Sequence, residues 1–221
     1  MNLFFNLRKD ESKLNIKAFS LGPLGTNCYI VYKEAKALII DPGGDAEQVI
    51  SFLDKNDIEP LCILLTHAHF DHIGAVDKLR NHYSIDVYLH ENEKEWLTDA
   101  ELNRSLLFTG VGFTTSAPDY LIEPGSIDIG PFHFDIIHTP GHSPGSVTFI
   151  FYDEKFIISG DVLFQSGVGR TDLPGGKFSH LVASLREKIY TLPEDFTVLP
   201  GHGGQTNIGI EKKNNPYIPG K

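Results

Sequence analysis

Four side chains of the kinds that bind metal ions follow directly after an apolar segment. Residues 61–65 have the length and composition of a buried strand, and His67, His69, Asp71 and His72 come immediately after them. Alternate residues of a strand share a face, so the first two can point to one place and the turn can bring the others there. A lone loop histidine is usually only solvated, but burying four such groups is costly unless a metal ion compensates. Imidazoles and a carboxylate predict Zn(II), Fe(II) or Mn(II) rather than Ca(II) or Mg(II).

The same arrangement recurs later, with a ligand-type residue just after a predicted strand and close to glycine. The residues are His142, Asp161 and His202. Asp41 also follows a short apolar strand, where it can hold a ligating imidazole in place, although a carboxylate that only shapes the turn fits equally well. Reactive groups on loops at the ends of rigid strands are a general way to build an active site. The pattern therefore predicts a site without identifying its reaction.

The 221-residue chain has a globular composition and a net charge of −10. An acidic chain is a poor match for a nucleic-acid groove or an anionic membrane surface, so neither partner is expected. The two cysteines, Cys28 and Cys62, lie in strand-like segments and are expected to be buried thiols, with a disulfide as the alternative. The apolar cluster at residues 3–5 is too short for a secretory signal, and no segment has membrane-spanning length. The expected location is the cytoplasm.

The spacing of apolar residues predicts a strand-rich beginning followed by alternating strands and helices. Helical periodicity marks the segments 45–56, 73–83 and 178–190, with Asp45 as the N-cap of the first. The predicted strands are 16–19, 27–32, 37–40, 61–65, 87–89, 132–137, 147–152, 155–159 and 197–199.

The least regular part of the chain is the segment 91–120. It combines a short charged helix at 91–96 with an apolar, glycine-containing stretch at 106–113. Several apolar residues in one loop usually pack on something, so we expect a loop that covers the active-site cleft and forms one of its walls. An ordinary surface connection is the alternative. No repeat or linker interrupts the chain, which predicts a single domain, 1–221, with a short tail from about residue 206.

Together these motifs resemble the metallo-β-lactamase superfamily. The elements are Thr66-His67-Ala68-His69-Phe70-Asp71-His72-Ile73-Gly74, Thr139-Pro140-Gly141-His142, Gly160-Asp161 and Pro200-Gly201-His202-Gly203. They occur in that family's order and span nearly the whole chain. The resemblance implies an α/β fold: an αβ/βα sandwich of two mixed β-sheets face to face, with helices on the outer faces and metals in a cleft along one edge.

The resemblance also implies two divalent metal ions, expected to be zinc, with iron or manganese as alternatives. His67, His69 and His142 would bind one ion, Asp71, His72 and His202 would bind the second, and Asp161 would bridge both.

Within this superfamily the chain is most similar to the glyoxalase II group, the hydroxyacylglutathione hydrolases and their short bacterial relatives. The similarity lies in the stretches 169–176 and 208–217. Full-length glyoxalase II enzymes carry a helical C-terminal domain that helps to bind glutathione, and this chain stops soon after His202. The resemblance therefore implies thioester hydrolysis more directly than glutathione as the thiol. It also implies that Arg170 binds a carboxylate of the substrate's thiol, with an ion pair to Asp172 as the alternative.

The implied ligands suggest how a small-molecule thioester would be hydrolysed. Two cations sharing a hydroxide would lower its pKa, aim it at a carbonyl carbon and stabilise the resulting oxyanion. A thiolate leaves with little help from an acid, and no serine or cysteine nucleophile is needed. Asp71 is the expected catalytic residue, orienting the hydroxide and accepting its proton, although a metal-binding carboxylate is a weaker base. Asp41 and His138 are expected to hold the ligands from behind.

Three other activities are compatible with parts of the pattern. A persulfide dioxygenase is the nearest alternative, since those enzymes share the fold and a Gly-Arg-Thr-Asp element like that at 169–172, although they use one iron. The segment 200–204 is more similar to that of the hydrolases, so the dioxygenase comes second. A metal-dependent nuclease fits the acidic charge less well. A non-catalytic metal-holding module is the third, but structural sites are usually closed by four ligands, and more are implied here.

Overall fold

The structure is a computed structural model that describes residues 13–220. The apolar cluster at residues 3–5, which bears on the prediction about a secretory signal, lies outside the described residues. Within residues 13–220, no helix combines the length and the apolar character needed to cross a bilayer.

The first half of the described chain forms a six-stranded mixed sheet whose strands lie in chain order. The strands are β1 (Asn15–Leu21), β2 (Thr26–Lys33), β3 (Lys36–Ile40), β4 (Glu59–Leu64), β5 (Asp86–His90) and β6 (Tyr120–Ile122). Strands β1 to β3 pair antiparallel, and β3 to β6 pair parallel. Because parallel strands end at the same edge, the residues that follow β3 and β4 become neighbours there.

The second half forms another six-stranded mixed sheet, in the order β14-β13-β10-β9-β8-β7. Its strands are β7 (Gly125–Ile129), β8 (Phe132–His138), β9 (Val147–Phe151), β10 (Phe156–Gly160), β13 (Thr197–Pro200) and β14 (Thr206–Asn207). A separate hairpin pairs β11 (Leu163–Phe164) with β12 (Gly167–Val168). Strands β10 and β13 are parallel, so the residues after them also meet at one edge.

The two sheets pack face to face, and alternate residues of each strand divide between two apolar layers. In β3, Leu38 and Ile40 enter the layer between the sheets, whereas Ile39 belongs to the layer on the outer side. Between the sheets they join aromatic side chains of the second sheet, including Phe134 and Phe149. Burial of both faces explains why the central strands are continuous apolar runs in the sequence.

Helices cover the outer faces of both sheets. Those of the described chain are α1 (Ala46–Lys55), α2 (Phe70–Ile73), α3 (Val76–Tyr83), α4 (Ser105–Thr109), α5 (Phe178–Glu187) and α6 (Ile208–Asn214), with 3-10 turns at Glu91–Glu93, Trp96–Thr98 and Ile189–Thr191. Val49 of α1 and Leu79 of α3 pack outside the first sheet, and Leu181 and Leu185 of α5 pack outside the second. The predicted αβ/βα sandwich is therefore confirmed.

The predicted helix at 73–83 is interrupted in the structure. Helix α2 ends before Gly74 and α3 begins after it. The backbone at Gly74 passes so close to Gly43 that a β-carbon there would lie 2.4 Å from the Gly43 carbonyl oxygen. The break separates the turn that carries two candidate ligands from the helix that packs on the sheet.

Asp45 occupies the predicted N-cap position of α1, but its side chain does not cap the helix. The side chain makes no capping hydrogen bond, and the backbone of Asp45 is left-handed with φ of 45°. Its carboxylate accepts a hydrogen bond from the N–H of Gly22 at 2.9 Å instead. The side chain thus ties the start of α1 to the turn between β1 and β2.

The segment from about residue 206, expected to be a tail, contains regular structure. Strand β14 pairs with β13, and Ile208 at the start of α6 is fully buried in the layer outside the second sheet. The buried carboxylate of Glu211 accepts hydrogen bonds from the Thr206 hydroxyl at 2.7 Å and from the N–H of Ser166 at 3.1 Å. This segment therefore supports the β11–β12 hairpin, which follows Asp161.

Candidate metal centre

All seven candidate ligands lie together at the edge where the parallel strands end. Thr66 and His67 come after β4, and Asp161 and His202 come after β10 and β13. Two groups of three have ligand atoms that all lie within 4.8 Å of one another: His67, His69 and His142 form the first, and Asp71, His72 and His202 form the second. These are the two groups that the resemblance implies.

Asp161 lies between the two groups. Its Oδ1 is 3.4 Å from Nε2 of His72, and its Oδ2 is 3.5 Å from Nε2 of His202 and 3.6 Å from Nε2 of His142. With His67 and His72 it also forms a third close group of ligand atoms. One carboxylate therefore approaches ligand atoms of both groups, as a bridging ligand does.

Asp41 holds two of the imidazoles from behind and decides which nitrogen carries the proton. Nδ1 of His72 lies 3.0 Å from the Asp41 carboxylate and donates a hydrogen bond to it. The Thr66 hydroxyl donates its proton to the same carboxylate at 2.6 Å. The hydroxyl oxygen therefore accepts the hydrogen bond from Nδ1 of His67, at 3.1 Å. In both rings we assign the proton to Nδ1, which leaves the lone pair of Nε2 for a ligand.

The loops that carry the other histidines are also fixed by hydrogen bonds. Nδ1 of His142 donates to the backbone carbonyl of Arg170 at 2.8 Å, which turns its Nε2 towards the first group, 2.9 Å from Nδ1 of His69. Asn27 and Tyr29 of β2 donate hydrogen bonds to the carbonyl of Pro200, the last residue of β13, at 2.9 and 2.7 Å. His202 follows two residues later. These bonds cross from the first sheet to the second, so the sandwich itself positions His202.

The donor set fits a metal ion because several of its polar atoms are buried without another partner. Among the described residues, Nε2 of His67, Nε2 of His72 and Oδ1 of Asp161 make no hydrogen bond. Leaving a buried polar atom unpaired costs about 1–3 kcal/mol. The ligand atoms of these three residues lie within 4.8 Å of one another. One ion in each ligand group, with Asp161 shared, would satisfy all three. Imidazole and carboxylate donors suit Zn(II), Fe(II) or Mn(II).

Burial and charge divide the histidines into two kinds. Burial and the neighbouring imidazoles hold the pKa values of His67 and His69 well below the ordinary value. Burial also lowers the pKa of His72, but the surrounding carboxylates, Asp71 first, outweigh it and hold the pKa well above the ordinary value. For His202, burial is likewise outweighed by contact with Asp71, and the pKa is raised. Without metal, His72 and His202 therefore bind a proton more tightly than His67 and His69 do.

Metal binding should consequently release protons, and metal affinity should fall as the pH falls. An ion that binds Nε2 of His72 must displace the proton held there, so we expect about one proton or more to be released per chain near pH 7. The affinity should rise up to about tenfold per pH unit for each proton displaced, and activity should fall below about pH 6. Titration calorimetry of chelator-stripped protein in buffers of different ionisation enthalpy measures the release. Heats that do not depend on the buffer would contradict the protonated imidazoles.

The two ligand groups open onto a cleft of about 160 Å³. Its lining residues are Leu24, His69, Phe70, Asp71, Arg104, Phe108, His142, Asp161, Arg170, Leu173 and His202. We call residues 99–115, which form one wall, the cap. The carbonyl of Asn103 in the cap accepts a hydrogen bond from Phe70 N–H at 2.8 Å, and the rings of Phe70 and Phe108 stack with centroids 5.4 Å apart. The cap is thus fastened directly to the turn that carries the ligands.

Arg170 lines the cleft but already has a partner within the chain. Its Nε and one terminal nitrogen both donate to the carboxylate of Asp172 at 2.7 Å. This contact lowers the pKa of Asp172 to about 2. The guanidinium is about half exposed, so it still faces the cleft. That Arg170 binds a substrate carboxylate stays a prediction.

His138 contacts the loop that carries His142. Its ring stacks on His90 with centroids 4.3 Å apart, and its Nε2 lies 2.8 Å from the carbonyl of Pro144. It therefore supports the loop that carries His142, and its influence on a metal ligand stays a prediction.

Glu93 is a residue of this site that the sequence analysis missed. It is fully buried, and its two carboxylate oxygens accept hydrogen bonds from Ala68 N–H at 2.6 Å and Gly145 N–H at 2.7 Å. Ala68 lies between two candidate ligands, and Gly145 lies in the loop that carries His142. One side chain therefore joins the two ligand-bearing loops of the first group.

The chain belongs to the metallo-beta-lactamase superfamily, whose family model matches residues 21–202. It is 49% identical over 201 residues to the probable metallo-hydrolase YqgX of Bacillus subtilis, covering 90% of this chain and 95% of YqgX. It is 36% identical over 211 residues to the hydroxyacylglutathione hydrolase GloC of Haemophilus influenzae, covering 94% of this chain and 100% of GloC. These relatives place the protein among the metallo-hydrolases.

Solved structures of similar proteins share the whole sandwich. The BLEG-1 B3 metallo-beta-lactamase matches with a TM-score of 0.90 at 50% identity, covering 92% of this chain and 99% of BLEG-1. TTHA1623 in a di-iron-bound form matches with a TM-score of 0.83 at 37% identity, covering 91% of this chain and 100% of TTHA1623. The predicted fold and family therefore agree with both comparisons.

Proposed function

We propose that the protein is a metal-dependent hydrolase that cleaves a small-molecule thioester. One observation carries the proposal: among the described residues, every carboxyl and imidazole group that lines the cleft belongs to the candidate ligand set. Such a cleft has no spare acid to protonate a leaving group. A thiol, with a pKa of about 8.5, leaves as an anion, whereas an amine or an alkoxide needs a proton. The reaction that fits is transfer of an acyl group from sulfur to water.

The side chains divide the work of holding, orienting and supporting. His67, His69 and His142 would hold one divalent ion, Asp71, His72 and His202 the second, and Asp161 both. Ions bound there supply a water of lowered pKa and polarise the substrate carbonyl.

Asp71 is proposed to orient the attacking water. Burial raises the pKa of Asp71, but His72 and His202 outweigh it and hold the pKa below its ordinary value. The carboxylate therefore stays ionised, and the Thr26 hydroxyl fixes it by donating to Oδ2 at 2.9 Å. An acid this strong is a weak base, so orientation is its main contribution.

The relatives support this choice over its alternatives. GloC, a hydroxyacylglutathione hydrolase by name, supports a thioester substrate. The di-iron form of TTHA1623 supports iron as an alternative to zinc. The second ligand group is complete, which favours two ions over the single iron of a persulfide dioxygenase. BLEG-1 makes a β-lactam the second candidate substrate, but opening that amide leaves a nitrogen to be protonated. We place the activity in the cytoplasm, with neither a nucleic acid nor a membrane as partner.

A substrate panel tests the proposal. Protein loaded separately with zinc, iron or manganese should hydrolyse a thioester at least about a hundredfold faster than the carboxylic ester of the same acyl group or a β-lactam, since only the thiolate leaves without a proton. Product acid, measured by chromatography, gives all three rates on one scale. Similar rates for ester and thioester would contradict the leaving-group argument. Oxygen consumption with glutathione persulfide would assign the protein to the dioxygenases instead.

A further inference from the structure

We infer that Leu24, at the tip of the turn between β1 and β2, belongs to an apolar subsite that takes the acyl chain of the substrate and selects among acyl groups. The inference rests on the proposed thioester hydrolysis and names its substrate class: thioesters with a short aliphatic acyl group that carries no hydroxyl. Leu24 belongs to none of the sequence motifs that predict the metal centre.

Besides the candidate ligands, the residues that line the cleft are of only two kinds. Two are arginines, and the others are apolar: Leu24, Phe70, Phe108 and Leu173. Among residues 13–220, no uncharged polar side chain lines the cleft. A hydroxyl group on the acyl chain would lose its hydrogen bonds with water there and find no uncharged partner, whereas an alkyl chain has none to lose. The lining therefore favours an alkyl chain.

Leu24 lies across the cleft from the cap. The strands of the first sheet lie in chain order, so the turn between β1 and β2 is at one end of the sheet and the cap, between β5 and β6, is at the other. Leu24 is 54% exposed and Phe108 of the cap is 47% exposed, although both line the cleft. An acyl chain held between them would remove apolar surface of both from water, which is favourable.

The positive charge of the cleft lies on the cap side. Arg104 belongs to the cap, and the guanidinium of Arg170 is 5.9 Å from the centroid of the Phe108 ring. Within the described part of the chain, no arginine or lysine lines the cleft on the side of Leu24. The uncharged acyl chain therefore fits best against Leu24.

The turn fixes Leu24 beside the second ligand group. Its first and last residues, Gly22 and Gly25, have positive φ values, and Gly25 N–H donates to the Gly22 carbonyl at 3.2 Å. A β-carbon on Gly22 would lie 2.9 Å from a carbonyl oxygen of the loop after β3, so the turn packs directly on that loop. Thr26, which follows the turn, donates to Asp71 at 2.9 Å. An apolar side chain held in place beside a reaction centre is suited to selecting substrates.

The volume of the cleft limits the length of the acyl chain. About 160 Å³ is about five times the roughly 30 Å³ that one water molecule occupies in the liquid, so the cleft can enclose about five non-hydrogen atoms. The carbonyl carbon and oxygen take two of these places, which leaves room for about three further carbons. A butyryl group fills that space, and a longer chain extends past Leu24 into solvent.

Product acids test the subsite without turnover. We would titrate the zinc-loaded protein with acetate, propionate, butyrate and hexanoate in a calorimeter. Each added CH₂ group should tighten binding about fourfold up to butyrate, the equivalent of about 0.8 kcal/mol for each buried CH₂. Hexanoate should add little. In Leu24→Ala the gain from acetate to butyrate should fall from about fifteenfold to about fourfold or less, because one wall of the subsite is lost.

A pair of thioesters tests the selection against hydroxyl groups. The isobutyryl and lactoyl thioesters of N-acetylcysteamine differ by a methyl and a hydroxyl group of similar size, and their thiol part is uncharged. The ratio of their kcat/KM values, isobutyryl over lactoyl, should be about fivefold lower in Leu24→Asn than in the parent, because an asparagine amide can form a hydrogen bond with the hydroxyl group. Comparing the ratio between two proteins cancels the different reactivity of the two thioesters.

Leu121→Ala is the matched control. It removes a leucine of β6 that is 47% exposed and does not line the cleft, so it should keep the parental gain from acetate to butyrate. Parental gain in Leu24→Ala would overturn the inference. Equal affinity of the parent for acetate and butyrate, undetectable binding of both included, would also overturn it.

The proposed function and the subsite can fail separately. If no thioester is hydrolysed but Leu24→Ala still reduces the gain from acetate to butyrate, the function fails and the subsite stands. If thioesters are hydrolysed but the acids bind equally to the parent whatever their length, the subsite fails and the function stands.

Discussion

Replacing Asp161 with alanine should strip the protein of both metal ions and of its hydrolytic activity. The Asp161 carboxylate lies 3.4 Å from Nε2 of His72 and 3.6 Å from Nε2 of His142, which belong to different ligand groups. Changes to residues behind the ligands already cost about 10–100-fold in metal affinity or activity, so removing a shared ligand should cost more than about 100-fold for each ion. Metal content after dialysis, by plasma emission spectrometry, should fall from about two ions per chain to almost none.

Two further variants make this result interpretable. Asp161→Asn keeps the shape and one oxygen donor, so it should retain more metal than Asp161→Ala. Asp153→Ala removes a carboxylate from an exposed turn between β9 and β10, and it should retain both ions. Parental metal content in Asp161→Ala would refute a shared carboxylate, and loss of one ion alone would assign Asp161 to a single group.

The strands and the positions of the candidate ligands were predictable because burial leaves a strong pattern in the sequence. Segment 61–65 is an unbroken apolar run because both faces of the first sheet are covered, and His67 follows it directly. Strand β7 was missed because its residues are partly or fully exposed and mostly lack that pattern. The break at Gly74 was missed because its cause is a close approach to Gly43, which is distant in sequence.

Residues that support the site from other segments left no comparable pattern. Glu93 is one of three glutamates at alternate positions, with Glu91 and Glu95, and only Glu93 is buried. Arg104 is one arginine in an irregular segment, and its left-handed backbone arises from contacts of the folded cap. Sequence spacing can place residues on one strand or turn, but these contacts depend on how separate loops pack.

Exchanging Glu93 for glutamine should weaken metal binding about 10- to 100-fold, the range found for residues that hold ligands in place. Both Glu93 oxygens accept backbone hydrogen bonds, from Ala68 and from Gly145. A glutamine amide has one acceptor oxygen, so its NH₂ group would face a backbone N–H and leave it unpaired. One buried unpaired donor should lower the free energy of unfolding by about 1–3 kcal/mol. Competition with a chelator measures the metal affinity, and chemical denaturation of the metal-free protein measures the stability.

The same stretch provides matched controls for Glu93. Glu91→Gln and Glu95→Gln make the same chemical change on exposed side chains and should keep the parental metal affinity. Gly145→Ala disturbs the same contact without changing Glu93. The new β-carbon would lie 2.8 Å from Cγ of Glu93, so the Glu93 side chain must move. If Glu93→Gln and Gly145→Ala both weaken metal binding, the carboxylate positions the ligand loops. A Glu93→Gln protein that unfolds more easily but binds metal as tightly as the parent would limit Glu93 to supporting the fold.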